Sequence, residues 1–172
     1  MKAAEIESGE IASFYGTYLR TLGAEEALVP SLANGQIEMR RFIAEIPEGK
    51  WNHRYAADKW TVAEVLLHLV DAERVFQYRA LRFGRNDATE LPGFDQDMYV
   101  GESRGNDREM AGILEEYTSV RDATLSLFKQ FGDAQLKRKG LCSGTQLSVG
   151  ALGFIITGHQ RHHVRILNER YL

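Results

Sequence analysis

Three of the five histidines in this 172-residue chain lie close together near its end, in Gly158-His159-Gln160-Arg161-His162-His163. At about 100° of helical rotation per residue, His163 falls roughly 40° from His159, whereas His162 lies about 60° to the other side. The apolar residues of this segment fall within roughly 60° of His159: Leu152, Ile155, Ile156 and Ile166. The spacing predicts that His159 and His163 point into a helical core and that His162 is the weaker candidate for this role.

His68 belongs to an earlier segment, where it occupies a core position three residues after Val65 and four before Ala72. Burying three imidazoles without partners is costly, because apolar neighbours cannot satisfy their donors and acceptors. A divalent metal ion held by three histidines offsets that cost and keeps an open position for water or substrate. For His68 alone, a hydrogen-bonded core histidine is the simpler interpretation; the three together favour a metal site. Asp71 is a candidate to orient a ligand histidine, with a solvated acid as its alternative.

Four long segments with helical apolar spacing must position these histidines: about residues 28–46, 61–83, 110–131 and 148 nearly to the end. The clearest start is Thr61-Val62-Ala63-Glu64, which has the pattern of a capping box. Gly84 is suited to a left-handed residue at the end of that helix. No long segment alternates with period two, so a sheet is disfavoured. The fold class is all-α, a four-helix bundle with an extra short N-terminal helix.

The composition fits one soluble domain, with 44% hydrophobic and 26% charged residues. We therefore expect a single helical domain over 1–172, with its bundle core at about 28–172. A net charge of -3 gives no general attraction for phosphate backbones, so nucleic acid is not an expected partner. No apolar run reaches the roughly 18 residues of a membrane helix, and the polar start lacks a secretion pattern. Together with a lone cysteine, Cys142, these features predict a cytoplasmic protein without membrane association.

The sequence resembles the DinB superfamily, whose DinB-like and YfiT-like members are four-helix bundles. The resemblance covers about residues 28–172 and is carried by Trp60-Thr61-Val62-Ala63-Glu64-Val65-Leu66-Leu67-His68-Leu69-Val70-Asp71-Ala72-Glu73 and by the histidine-rich segment 158–163. It implies one divalent metal ion per chain, commonly zinc or nickel. The family positions that hold the ion match His68, His159 and His163. Members of known activity use the metal to activate a low-molecular-weight thiol, and the family name does not imply DNA repair.

The leading functional hypothesis is therefore a metal-dependent thiol S-transferase or isomerase with a small-molecule substrate. The alternatives are a metal-dependent hydrolase and a non-catalytic module that binds a metal or ligand. The long connection over 86–105 offers Asp95, Asp97 and Tyr99, and with His162 these are candidates to contact substrate or support the site. No catalytic residue is assigned. The resemblance and the aromatic cluster Phe14, Tyr15 and Tyr18 predict a homodimer; alternatively, this cluster covers its own bundle.

Overall fold

Four long helices form the body of the protein, in a computed structural model that describes the backbone of residues 1–172 and every side chain except that of Ser8. The α-helices are α1 (Gly16–Leu19), α2 (Leu28–Glu45), α3 (Val62–Gly84), α4 (Gln96–Glu102), α5 (Met110–Phe128), α6 (Asp133–Leu136) and α7 (Val149–Arg170). Both α2 and α3 pack against both α5 and α7. This arrangement confirms the predicted all-α four-helix bundle.

The helix ends follow the sequence signals with one exception. Thr61 and Glu64 form the expected capping box at the start of α3, and Ser148 caps α7. Gly84 ends α3 but is not left-handed; that conformation belongs to Asn86, at φ 63°. Gly84 instead lies where a Cβ atom would meet the ring of Phe131, so the glycine serves close packing.

Short elements occupy the N-terminal segment and the two long connections, one between α3 and α5 and the other between α5 and α7. The chain begins with 3-10 turns at Ala3–Glu5, Ser8–Glu10 and Ser13–Tyr15, which lead into α1. The first connection contains α4, and the second contains α6 and an antiparallel hairpin of β1 (Lys139–Cys142) and β2 (Thr145–Ser148). Its turn residues, Ser143 and Gly144, have φ values of 50° and 70°, as tight hairpins favour. Four-residue strands are too short to produce the alternation by which sheets are recognised in sequence.

The bundle core contains two apolar clusters, one around Phe83, Phe128 and Leu152 and the other around Leu66, Ile113 and Leu167. Between them lies a buried set of hydrogen-bonded side chains, here called the polar layer, formed by Glu73, Tyr117, Arg121 and Gln160. In the part of the chain that the structure describes, no helix is long and apolar enough to cross a membrane.

Candidate metal centre

The starts of two helices determine where the histidines lie. At the first turn of α3, the Thr61 amide donates to the Glu64 carboxylate at 2.7 Å, and the Glu64 amide donates to Thr61 Oγ1 at 3.2 Å. The hydroxyl of Ser148 accepts an amide hydrogen bond at the first turn of α7. Such caps fix where each helix begins and hence which face each residue occupies. Because α3 packs along α7, His68 faces the two histidines that lie one turn apart on α7.

Three imidazole rings meet between these helices. The Nε2 atoms of His68 and His159 are 3.0 Å apart. The ring centre of His163 lies 5.1 Å from that of His68 and 4.6 Å from that of His159. One potential ligand nitrogen from each ring lies within 4.8 Å of the other two. His68 and His159 are buried and His163 is partly exposed, so the cluster is nearest to solvent at His163.

Burial keeps all three rings in the neutral form at neutral pH. It lowers the pKa of His68 to about 4, against the opposing effect of the Asp97 carboxylate. Burial also lowers the pKa of His163 to about 3, with smaller contributions from His68 and His162. The pKa of His159 lies well below its ordinary value because its ring is fully enclosed and has other imidazoles around it. Neutral imidazole has a free nitrogen lone pair and is the form that binds metals.

Three aromatic side chains, here called the aromatic wall, pack against the rings of the cluster. The ring of Trp60 is centred 4.8 Å from that of His68. The rings of Tyr18 and Phe76 are centred 5.0 Å and 6.2 Å from that of His159. These rings place apolar surface against the imidazoles and so account for much of their desolvation.

Two members of the aromatic wall were not expected there from the sequence. For Tyr18 the sequence left open a dimer surface or a cover over its own bundle, and Trp60 precedes the predicted start of a helix; both contact histidine rings. The backbone of Tyr18 lies so close to Gly158 that a Cβ atom at that position would overlap it. A glycine inside a helix is disfavoured by about 1 kcal/mol relative to alanine. Gly158, next to His159, was therefore the one sign in the sequence that another part of the backbone packs closely against this helix.

His162 lies beside the cluster and outside the group of three ligand atoms. Its ring is centred 5.2 Å from that of His163 and 5.4 Å from that of Tyr18. Its Nδ1 atom is buried and has no hydrogen-bond partner among the described side chains. Burial, followed by the charge of Arg165, lowers the pKa of His162. Its placement agrees with its position at the edge of the apolar stripe.

The predicted acidic residues occupy different surroundings. Asp71 is half-buried, which raises the pKa of its carboxyl group, and it pairs with Arg74 at 3.3 Å. Asp97 lies on α4, which packs against α3, and its charge acts on His68. Asp95 caps α4 by accepting backbone amide hydrogen bonds from Asp97 at 2.9 Å and Met98 at 3.1 Å. The proposed orienting role of Asp71 and substrate contacts of Asp95 and Asp97 stay predictions.

Tyr99 packs against Phe94, with the two ring centres 5.2 Å apart. Tyr99 lines a cavity of about 330 Å³ between α3 and the segment 91–99. Arg79 of α3 also lines this cavity. Its predicted role as a substrate contact therefore belongs to this cavity and stays a prediction.

Sequence reasoning also missed the polar layer. Arg121 donates to both carboxylate oxygens of Glu73, at 2.7 and 2.8 Å, and to the side-chain oxygen of Gln160 at 2.8 Å. Tyr117 donates to the same Gln160 oxygen at 2.9 Å. A cavity of about 10 Å³, close to the smallest that holds one water molecule, separates these groups from His159. The sequence carried one sign of this layer, because Glu73 is a charged residue on the inward face of α3.

The fold and this site define a class of protein: a helical bundle with three histidines gathered between its second and fourth long helices. A family model described as the DinB superfamily matches residues 32–167, which include all three histidines. The chain belongs to the DinB superfamily. A comparison with curated proteins finds no match.

One solved structure with a similar fold is that of YfiT from Bacillus subtilis. It has a TM-score of 0.75 and 14% sequence identity, over 95% of this chain and 90% of that one. YfiT is described as "a probable metal-dependent hydrolase with an unusual four-helix bundle topology". At this identity the likeness shows a shared fold.

Proposed function

We propose that His68, His159 and His163 bind one divalent metal ion and that the protein is a metal-dependent enzyme acting on a small molecule. The observation that carries this proposal is the convergence of three largely buried, neutral imidazoles from two facing helices. The spacing of His68 and His159 fits an ion, because two nitrogens that each bond one zinc at about 2.1 Å can lie up to about 4.2 Å apart. The Nε2 atoms of His68 and His159, at 3.0 Å, fall within that span.

The ligand set favours a catalytic ion over a structural one. Among the described residues, no fourth histidine, cysteine or carboxylate joins the group. Structural zinc sites are closed by four protein ligands, whereas catalytic sites use three and leave a position open. We infer that a substrate or water completes the coordination from the partly exposed side of His163.

A divalent ion at this position supplies a Lewis acid that lowers the pKa of a bound thiol or water, so that a nucleophile forms near neutral pH. The three neutral imidazoles leave the positive charge of such an ion uncompensated, which favours an anionic thiolate. The aromatic wall places apolar surface against the imidazoles. Asp97, whose charge acts on His68, is the candidate to exchange a proton with substrate. We therefore place thiol transfer or isomerisation first, with zinc or nickel as the ion.

Hydrolysis is the second candidate, favoured by the description of YfiT as a probable metal-dependent hydrolase. In this version the same histidines hold the ion, and water takes the place of the thiol. The two versions differ in one requirement, because only the first needs an added low-molecular-weight thiol.

One set of assays separates these candidates. An electrophilic aryl halide and an activated ester are offered with glutathione, bacillithiol, mycothiol or no thiol, to metal-free protein and to protein reloaded with zinc or nickel. Metal-dependent thiol consumption that is lost in His68→Ala supports the transferase. Metal-dependent ester cleavage without thiol supports the hydrolase. Metal binding without turnover supports a non-catalytic module, and equal rates with and without metal contradict both enzymatic proposals.

We also propose a homodimer, supported by the exposure of 72% of Phe14. Tyr15 and Tyr18 pack against the bundle of their own chain, which leaves Phe14 as the uncovered member of the aromatic cluster. Light scattering at micromolar concentration is expected to give twice the chain mass of 19.5 kDa, and Phe14→Ser is expected to shift it towards the monomer. A monomeric mass for the unchanged protein contradicts dimerisation.

A further inference from the structure

A buried cationic side chain, that of Arg79, lies further along the face of α3 that carries His68. Arg79 follows His68 by eleven residues, which places it about 16 Å further along the helix and within about 20° of the same face. Only 2% of Arg79 is exposed. Its guanidinium donates to the Pro92 carbonyl at 3.0 Å and to the Ser143 hydroxyl at 2.9 Å. The Tyr15 side chain is a further hydrogen-bond partner of Arg79. All three partners are neutral, so they satisfy donors and leave the charge without a carboxylate partner.

No acidic side chain among those described lies within 4.0 Å of the Arg79 nitrogens. The acids closest to it on either side along α3 and the turn after it pair with other arginines. Asp71 pairs with Arg74, and Asp87 pairs with Arg82. Arg121, the other deeply buried arginine, is matched by Glu73. An unpaired charge away from water is unfavourable, because the Coulombic attraction that offsets its desolvation is missing.

Arg79 lines a cavity in which a bound anion would supply the missing negative charge. The cavity has a volume of about 330 Å³ and lies between α3 and the segment 91–99. That volume is within the range of small-molecule sites, about 300–1,000 Å³. Three of its lining side chains are aromatic: Tyr78, Phe94 and Tyr99.

We propose that this cavity binds a small monoanion, with a carboxylate on Arg79 and an aromatic or apolar body against the three aromatic rings. The planar guanidinium presents paired N–H groups that match the two oxygens of a carboxylate. Arg74 also lines the cavity, but it pairs with Asp71 and Glu116. Arg79 is therefore the lining cation that lacks a carboxylate partner among the described residues, and one unpaired positive charge favours one negative charge over the two of a phosphate monoester. The inference does not depend on the proposed metal centre.

The first test compares benzoate with its neutral analogue benzamide. Both are titrated into the full-length protein as purified, and binding is followed by calorimetry and by NMR shifts of Val75 and Tyr99. Benzoate is expected to bind at least tenfold more tightly than benzamide and to shift both residues. Equal affinities overturn the proposal, as do shifts confined to the histidine cluster. Tighter binding of inorganic phosphate than of benzoate in this cavity also overturns it.

A pair of variants tests the role of the Arg79 charge without removing Arg79. Val75 lines the cavity one turn before Arg79, so Val75→Glu supplies a carboxylate at the favourable i, i+4 spacing. Val75→Gln is the matched neutral control. The Glu variant is expected to lose at least tenfold in benzoate affinity, whereas the Gln variant stays within about threefold of the unchanged protein. Equal loss in both variants overturns the proposal.

A third variant separates this site from the metal centre. His163→Ala removes a proposed metal ligand and leaves the cavity lining intact. Benzoate affinity is expected to stay within about twofold in this variant. A loss of tenfold or more shows that the anion binds at the histidine cluster and contradicts the assignment to Arg79.

Discussion

The polar layer and the histidine cluster are neighbouring buried polar sites that differ in how their groups are satisfied. In the polar layer the chain supplies every charge with its opposite: Arg121 contacts both oxygens of Glu73, and Gln160 bridges to Tyr117. In the cluster the imidazoles contact one another, with the Nε2 atoms of His68 and His159 3.0 Å apart. Buried charges with complete internal partners rigidify a fold, whereas three converging neutral imidazoles present nitrogen lone pairs that a metal ion can bind. We therefore assign stability to the first site and metal binding to the second.

The largest expected effect comes from breaking the polar layer. Glu73→Gln leaves the Arg121 charge buried without its partner, which typically destabilises a protein by about 3–5 kcal/mol. Urea unfolding of the metal-free protein measures this loss. The double variant Glu73→Leu with Arg121→Met removes both charges and is expected to recover part of the stability. A Glu73→Gln protein as stable as the unchanged chain contradicts the structural role of the layer.

Removal of the metal is expected to have the next largest effect. An ion that binds only the folded chain adds about 2.7–4.1 kcal/mol at free concentrations of 100 to 1,000 times its Kd. A chelator should therefore lower the melting temperature of the unchanged protein. His163→Ala should melt at the same temperature with and without chelator. An unchanged melting temperature in the native protein after verified metal removal contradicts a folded-state metal site.

A smaller effect is expected from pH in the metal-free protein. The folded-state pKa values of His68 and His163, about 4 and 3, lie below the ordinary value of 6.5. The unfolded chain therefore takes up protons first as the pH falls, and stability declines from about pH 6.5 towards 4 by up to about 1.4 kcal/mol per unit for each ring. Urea unfolding between pH 6.5 and 5 measures this slope. His68→Gln should reduce it, and an identical slope in that variant contradicts burial as its cause.

Much of the bundle could be predicted from sequence because its determinants are local. The capping box at Thr61 and the serine cap at Ser148 mark the starts of α3 and α7, and apolar spacing places His68, His159 and His163 on inner faces. The hairpin could not be predicted, because four-residue strands show no clear period. The positions of Trp60 and Tyr18 depend on contacts between distant segments, which local patterns do not encode.

The polar layer and the Arg79 cavity illustrate the same limit. Glu73 and Arg121 are 48 residues apart, and their pairing follows from the packing of α3 against α5. The cavity at Arg79 exists because the segment 91–99 folds over α3. In both cases the charged residues could be read from the sequence. Only the fold shows that Arg121 has an acidic partner and that Arg79 has none among the described residues.

The most direct test of the metal centre is elemental analysis by plasma emission of untagged native protein, His163→Ala and His162→Ala. We expect about one zinc or nickel per chain in the native protein and in His162→Ala, because the His162 ring lies outside the group of three ligand atoms. We expect a loss of bound metal in His163→Ala after dialysis, with helical content unchanged by circular dichroism. Full metal occupancy in His163→Ala, or equal loss in both variants, contradicts the assignment of the ion to His68, His159 and His163.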